Sequence, residues 1–257
     1  MKITHYLQGQ PCWAELACHD LAAAQDFYCR LFGWETADMP STRGDFCLFN
    51  LEGDDLGAMY QLPEAMAALP THWNLYFAVD DLEACIARVS AAGGSLKMGP
   101  HTVAEAGTMA QFSDPEGAVF AVWQAHHHIG AKRMGEHGTL CWVELASRDP
   151  AGAKDFYARV FGWHTRVAAM ADFDYTEWLV GEQAVGGMME MTERWGQVPP
   201  HWMLYFTVDD CDAMLAKIAE LGGSVCVPAT DIPEVGRFAV VSDPQGGMFS
   251  IIALLAA

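Results

Sequence analysis

Two short stretches carry residue types able to do acid–base chemistry, and each occurs twice. "CWAEL" starts at Cys12 and "CWVEL" at Cys141; "HWNLYF" starts at His72 and "HWMLYF" at His201. Both copies are displaced by the same 129 residues, from 12 to 141 and from 72 to 201. In an extended strand alternate side chains share a face. Trp13 then goes with Glu15, and His72 with Asn74 and Tyr76. In the second copy Trp142 goes with Glu144, and His201 with Met203, Tyr205 and Thr207. A carboxylate, an imidazole and a phenol on faces lined by tryptophan can exchange protons with a small ligand or hold its polar groups.

The elements that must position these residues follow the same shift. "DFYCRLFGW" at Asp26 returns as "DFYARVFGW" at Asp155, and "SDPEG" at Ser113 returns as "SDPQG" at Ser242. A constant offset without gaps means a duplicated domain. The expected division is residues 1–125, a polar linker over 126–138, and residues 139–257. A fainter repeat of 61 residues lies inside each half: Asp20 and Gly33 match Asp81 and Gly94, and Asp149 and Gly162 match Asp210 and Gly223. After Asp20 the apolar residues Ala24, Phe27, Tyr28 and Leu31 make one helical face, and Leu82, Cys85, Ile86 and Val89 repeat it. The four aspartates stand at N-cap positions, and the four glycines are expected to end the helices in the left-handed conformation. Shorter β-like runs follow each helix, with "DPEG" and "DPQG" as turns. The pattern predicts an α+β protein of four βαβββ modules, two per half.

Composition narrows the partners. The formal charge of −19, from 14 Lys+Arg against 33 Asp+Glu, repels phosphate backbones and anionic membrane surfaces, so neither nucleic acid nor membrane is expected. The opening "MKITHYLQGQPCW" has no apolar core of signal-peptide length, and the closing "MFSIIALLAA" is too short to span a bilayer. Eight cysteines without a CxxC pair read as reduced thiols of a cytoplasmic protein. "AHHHIG", with His126 to His128, reads as a solvated linker, and Cys12 and Cys141 are expected to face away from the Trp13 and Trp142 faces. A monomer or a homodimer is expected.

A βαβββ module used twice per half, with a "D-x(6)-FY-x(3)-FGW" helix and a late "DPxG" turn, resembles the vicinal oxygen chelate superfamily of glyoxalases, bleomycin-resistance proteins and dioxygenases. The likeness runs from about Gln10 to Leu255 and is similar to its tandem two-domain glyoxalase-like subgroup. It implies a curved mixed sheet around a cavity in each half, with helices outside. It also implies a metal site, with ligands from the first strand of each module and a Glu on the last strand. Those places hold Trp13, Asn74 and Ala121 in the first half, and Trp142, Met203 and Ser250 in the second. None is an ordinary ligand for a divalent transition ion, so no metal and no other cofactor is expected there.

The resemblance also sets the first strands of paired modules antiparallel, with the ligand positions opposed. Glu15 should then lie near His72, and Glu144 near His201, flanked by Trp13 and Tyr76 or by Trp142 and Tyr205. The candidate catalytic residues are therefore Glu15, His72, Tyr76, Glu144, His201 and Tyr205. Trp13, Asn74, Trp123, Trp142, Met203 and Thr207 are the candidate ligand contacts. A plainer alternative places the histidines at the cavity rim and uses the glutamates to satisfy buried tyrosines. Two functions stay open: a metal-independent lyase, isomerase or hydroxylase-like enzyme for a small organic molecule, and a protein that sequesters a drug or hydrophobic metabolite. A displaced metal site on Glu15 and His72 ranks below both.

Overall fold

The computed structural model describes residues 1–39, 46–169 and 174–255. The first module runs β1 (Pro11–Cys18), α1 (Leu21–Phe32), β2 (Glu35–Met39), β3 (Phe46–Leu51) and β4 (Asp54–Gln61). The second runs β5 (His72–Ala78), α2 (Leu82–Ala91), β6 (Ser95–Val103), β7 (Gly107–Ser113) and β8 (Val119–Ala125). The third is β9 (Leu140–Ser147), α3 (Pro150–Phe161), β10 (His164–Ala169), β11 (Asp174–Val180) and β12 (Gln183–Glu190). The fourth is β13 (His201–Thr207), α4 (Cys211–Glu220), β14 (Ser224–Ile232), β15 (Gly236–Ser242) and β16 (Met248–Leu254). No described helix is long and apolar enough to cross a membrane.

Each half forms one eight-stranded mixed sheet, ordered β2-β3-β4-β1-β5-β8-β7-β6 and β10-β11-β12-β9-β13-β16-β15-β14. The first strands of the two modules pair antiparallel at the centre, and each also pairs parallel with the last strand of its own module. The α+β architecture of four βαβββ modules is thus present.

The helices start as their sequences require. Asp20, Asp81, Asp149 and Asp210 each accept a first-turn amide, from Ala23, Ala84, Gly152 and Ala213, at 2.9 to 3.0 Å. Gly33 and Gly162 end α1 and α3 with φ of 74° and 77°. In α2 and α4 the left-handed residue is Gly93 or Gly222, one place earlier than expected. Gly94 and Gly223 serve close packing instead: a Cβ there would stand 2.8 Å from Ser113 O or 2.6 Å from Ser242 O.

The helices lie on the side of each sheet away from its concave face, each with one apolar side buried and the other exposed. One hydrophobic core takes in the convex faces of both sheets and residues of all four helices, from Ala14, Leu16, Tyr28 and Phe77 to Tyr157, Phe206 and Ile251. Paired hydrogen bonds close this interface. Tyr28 donates to Asp243 at 2.9 Å, and Tyr157 donates to Asp114 at 3.1 Å. Trp73 and Trp202 donate in turn to those two hydroxyls, at 3.3 and 3.0 Å. The acceptor aspartates belong to the "DPxG" turns, where backbone amides also converge on them. The next turn residues reach across as well. Gln245 accepts from the amides of His19 and Asp20, and Glu116 from those of Arg148 and Asp149 and from the Ser147 hydroxyl. What reads in sequence as a simple turn is a clasp between the halves.

Candidate functional site

Strand parity places the chemistry-bearing residues as expected but brings different ones together. Ala14, Leu16, Leu75 and Phe77 join the shared core, while Trp13 and Tyr76 belong to a separate cluster on the concave face. The register is two residues away from the expected one. Glu15 stands opposite Asn74 and His72 opposite Ala17; Glu144 stands opposite Met203 and His201 opposite Ala146. Neither histidine is therefore set across from its expected glutamate. The two histidines begin their strands at the rim, and their Nδ1 atoms sit 2.7 and 2.8 Å from Pro70 O and Pro199 O. The physical reason is parity: a slip of two residues keeps every side chain on its face, so alternation alone cannot distinguish the two pairings.

The partner that the fold gives each glutamate is tyrosine. Tyr76 donates to Glu15 Oε2 at 2.7 Å. Tyr205 donates to Glu144 Oε1 at 2.9 Å, and Tyr175 to Glu144 Oε2 at 2.7 Å. Trp142 Nε1 donates to the Tyr175 hydroxyl at 2.9 Å. Burial raises the Glu144 carboxyl above its ordinary pKa, against the lowering effect of the two phenol hydrogen bonds. Burial and the adjoining carboxylate hold Tyr205 and Tyr175 well above the usual phenol range, so both remain donors. Tyr175 is not among the residues that the sequence pattern singles out. Its signal is Gly187, where Ala58 stands in the first half: a Cβ at 187 would meet the Tyr175 hydroxyl at 2.1 Å. Gly187 thus leaves the space through which Tyr175 reaches Glu144.

The two concave faces differ beyond this. In the first half Asn74 is engaged by Gln111 at 2.8 Å and by the Tyr60 hydroxyl at 3.4 Å, and burial pushes Tyr60 up to about 12. Trp13, Tyr76, Met109 and Ala121 pack with Cys12, Ala58 and Ala131 into a closed cluster. Cys12, expected to face away, joins this cluster where the β1–β5 register shifts between Pro11 and Trp13. The stretch expected as a solvated linker is anchored at His128. His128 lies edge-on to Trp13 with ring centres 5.0 Å apart, its Nε2 is 3.3 Å from Asp55 Oδ2, and its carbonyl accepts from Trp123 Nε1 at 2.8 Å. Lys132 bonds the same Asp55 carboxylate at 2.7 Å, and Tyr6 donates to Ala131 O at 2.6 Å. His126 and His127 are exposed.

Trp142, Met203, Phe238 and Val240 are half-buried rather than sealed. Ser250 stands beside Tyr205 in the β13–β16 pair, and Thr207 follows two residues along the strand. The Ser250 hydroxyl is close enough to the Tyr205 phenol to favour its ionised form, and Thr207 does the same for the Cys141 thiol. Neither contact has the geometry of a hydrogen bond, so two buried hydroxyl oxygens are left without a well-formed partner. The corresponding residues of the first half are Ala121 and Ala78, which need none. Two recesses of about 400 and 260 Å³ lie elsewhere, at the α2–α3 junction near Arg88 and Arg159 and beside the linker near His5 and Trp123. Neither is lined by Glu15 or Glu144.

The family model of the glyoxalase/bleomycin resistance protein/dioxygenase superfamily matches residues 2–122 and 139–251. The chain belongs to that superfamily. It is 42% identical over 255 residues to "Putative glyoxylase CFP32" of Mycobacterium tuberculosis, covering 98% of this chain and 97% of the relative. It is 37% identical over 266 residues to the anthracycline biosynthesis protein DnrV of Streptomyces peucetius, covering 98% and 96%. The Mn(II)-bound glyoxalase of Novosphingobium aromaticivorans superposes with a TM-score of 0.67 at 18% identity, over 96% of this chain and 83% of that one. The 2,3-dioxygenase LapB of Pseudomonas sp. KL28 gives 0.65 at 16% identity, over 95% and 92%. These two likenesses concern the fold.

A metal of the superfamily kind does not fit the residues at its usual places. Indole, amide and methyl groups stand there in the first half, and indole, thioether and hydroxyl in the second. Among the described residues no group of three or more His, Cys, Asp or Glu side chains is placed to hold an ion.

Proposed function

We propose that the second half holds a small organic molecule in its concave face, and that Glu144 receives a proton or a hydrogen bond from it. The single supporting observation is a partly buried carboxylate held by two phenols on the face that also carries the Ser250 and Thr207 hydroxyls, neither of which has a well-formed hydrogen bond. A buried polar group without a partner costs about 1–3 kcal/mol, and a ligand that satisfies it recovers that cost. Trp142 and Met203 supply the half-open wall and make room as the ligand enters. On this reading Glu15, Tyr76, Trp13, Asn74 and Trp123 belong to a closed copy that supports the fold, and His72 and His201 stay at the rims. The division into residues 1–125, 126–138 and 139–257 belongs to the same reading, as does a cytoplasmic protein without nucleic-acid or membrane partners. The eight unpaired cysteines and the charge of −19 support the last point.

With Glu144 raised in pKa by burial, the reaction class is metal-independent proton transfer on the bound molecule. A second reading, sequestration without chemistry, is favoured by the engagement of both Glu144 oxygens by tyrosine. Native mass spectrometry of freshly purified protein tests the site. Wild type is expected to carry a small-molecule mass that Glu144→Gln loses while melting as a folded protein; an equal load on both proteins overturns the proposal. Deuterium uptake into the recovered molecule distinguishes proton transfer from sequestration.

A further inference from the structure

The groups around Glu144 also specify a class of ligand, an inference that rests on the site proposed above. Glu144 is partly buried, its two oxygens met by neutral donors rather than by a cation; Glu177 shares its face, level with it across Gly187, and is held by Arg166. Arg166, on edge strand β10, is bound to Glu177 at 2.6 Å, and Arg237 is turned to Asp212 and Asp231. A second negative charge beside Glu144 would face like-charge repulsion in a poorly hydrated recess, with neither arginine free to offset it. A hydroxyl or N–H donor, in contrast, meets an acceptor already oriented by Tyr175 and Tyr205.

Two strands away the requirement is reversed. Ser250 is fully buried and sits level with Tyr205, and its hydroxyl makes no well-formed hydrogen bond. A serine hydroxyl both donates and accepts, so a carbonyl oxygen at that end would satisfy it. Between the two ends the wall is apolar: Met203 opposite Glu144, Val240 opposite Ser250, and Phe238 with its ring centre 6.2 Å from that of Tyr205. Trp142 closes the other side, level with Tyr205.

We infer that the second hollow selects uncharged, flat ring compounds that carry a hydroxyl donor at one end and a carbonyl acceptor at the other, and that it discriminates against anions of the same shape. The donor meets Glu144, the carbonyl meets Ser250, and the ring lies along Met203, Phe238 and Trp142. Thr207 offers a further hydroxyl next to the carbonyl end.

Three probes of one shape test this: 6-acetyl-2-naphthol, 2-acetylnaphthalene, which lacks the donor, and 6-hydroxy-2-naphthoate, which replaces the ketone by a carboxylate. Titration at about pH 6.5 keeps the phenol protonated and the carboxylate ionised. Tryptophan fluorescence and calorimetry report binding. The naphthol is expected to bind at least about tenfold more tightly than either analogue, because a site built around a hydrogen bond penalises the compound that lacks it. Ser250→Ala is expected to remove most of its advantage over a carbonyl-free naphthol, with the melting temperature checked alongside. Equal or tighter binding of the carboxylate, or no binding of any probe, overturns the inference. If Glu144→Gln still weakens the carboxylate, the site stands and only the ligand class falls. If Glu144→Gln leaves naphthol binding unchanged, the site itself is wrong.

Discussion

The two hollows share strand order, register and a Trp–Glu–Tyr set, yet they are finished differently. The first is filled: Asn74 and Gln111 satisfy each other, Ala121 and Ala78 need nothing, and the His128 strap lies against Trp13. The second replaces the side chains with Met203, Val240, Ser250 and Thr207, and adds Tyr175 to the carboxylate. Duplication supplies two equal scaffolds. A scaffold is stable once its concave face is packed, and it becomes a site where that packing is left incomplete and polar groups lack partners.

The largest expected effect separates the glutamates. Glu144→Gln should weaken 6-acetyl-2-naphthol by about 100-fold, roughly 2.7 kcal/mol, whereas Glu15→Gln should leave affinity within about twofold. Equal losses in calorimetry would mean that both hollows bind. Next comes the glycine under Tyr175. Gly187→Ala places a methyl where the hydroxyl now sits and should cost about tenfold in affinity, while Ala58→Gly in the first half should cost none.

At the interface the halves should behave alike. Tyr28→Phe and Tyr157→Phe each remove a donor to a buried aspartate, and each should cost about 1–2 kcal/mol in denaturant unfolding, equal within error. A large inequality would show that the pseudo-symmetry of the clasp is only geometric.

The smallest effect is one of pH. The folded state holds protons on Glu144, Asp114 and Asp243 at pH values where the unfolded chain has lost them, since burial raises all three. Their contribution to stability is full below the ordinary carboxylate range and declines as pH rises through their raised values. The destabilisation caused by Glu144→Gln should therefore be larger in the ordinary carboxylate range than at neutral pH. A difference of opposite sign in the unfolding midpoints would place the carboxyl's folded pKa below its ordinary value.

Much of this protein is legible without coordinates. The shifts of 129 and 61, the aspartate caps and the apolar helical faces fix four modules, because each depends on spacing along the chain. The concave-facing sets around Glu15 and Glu144 follow from strand parity for the same reason. The choice of partner for each glutamate does not: registers two residues apart bury the same faces, and only the folded backbone chooses Asn74 over His72 opposite Glu15. The Tyr175 contact, the interface role of the "DPxG" aspartates and the seat of His128 on Trp13 join residues from 31 to 215 positions apart or distant strands of one sheet. Local pattern carries periodicity. Which of two matching hollows is closed depends on long-range packing, and that was decided only when the chain folded.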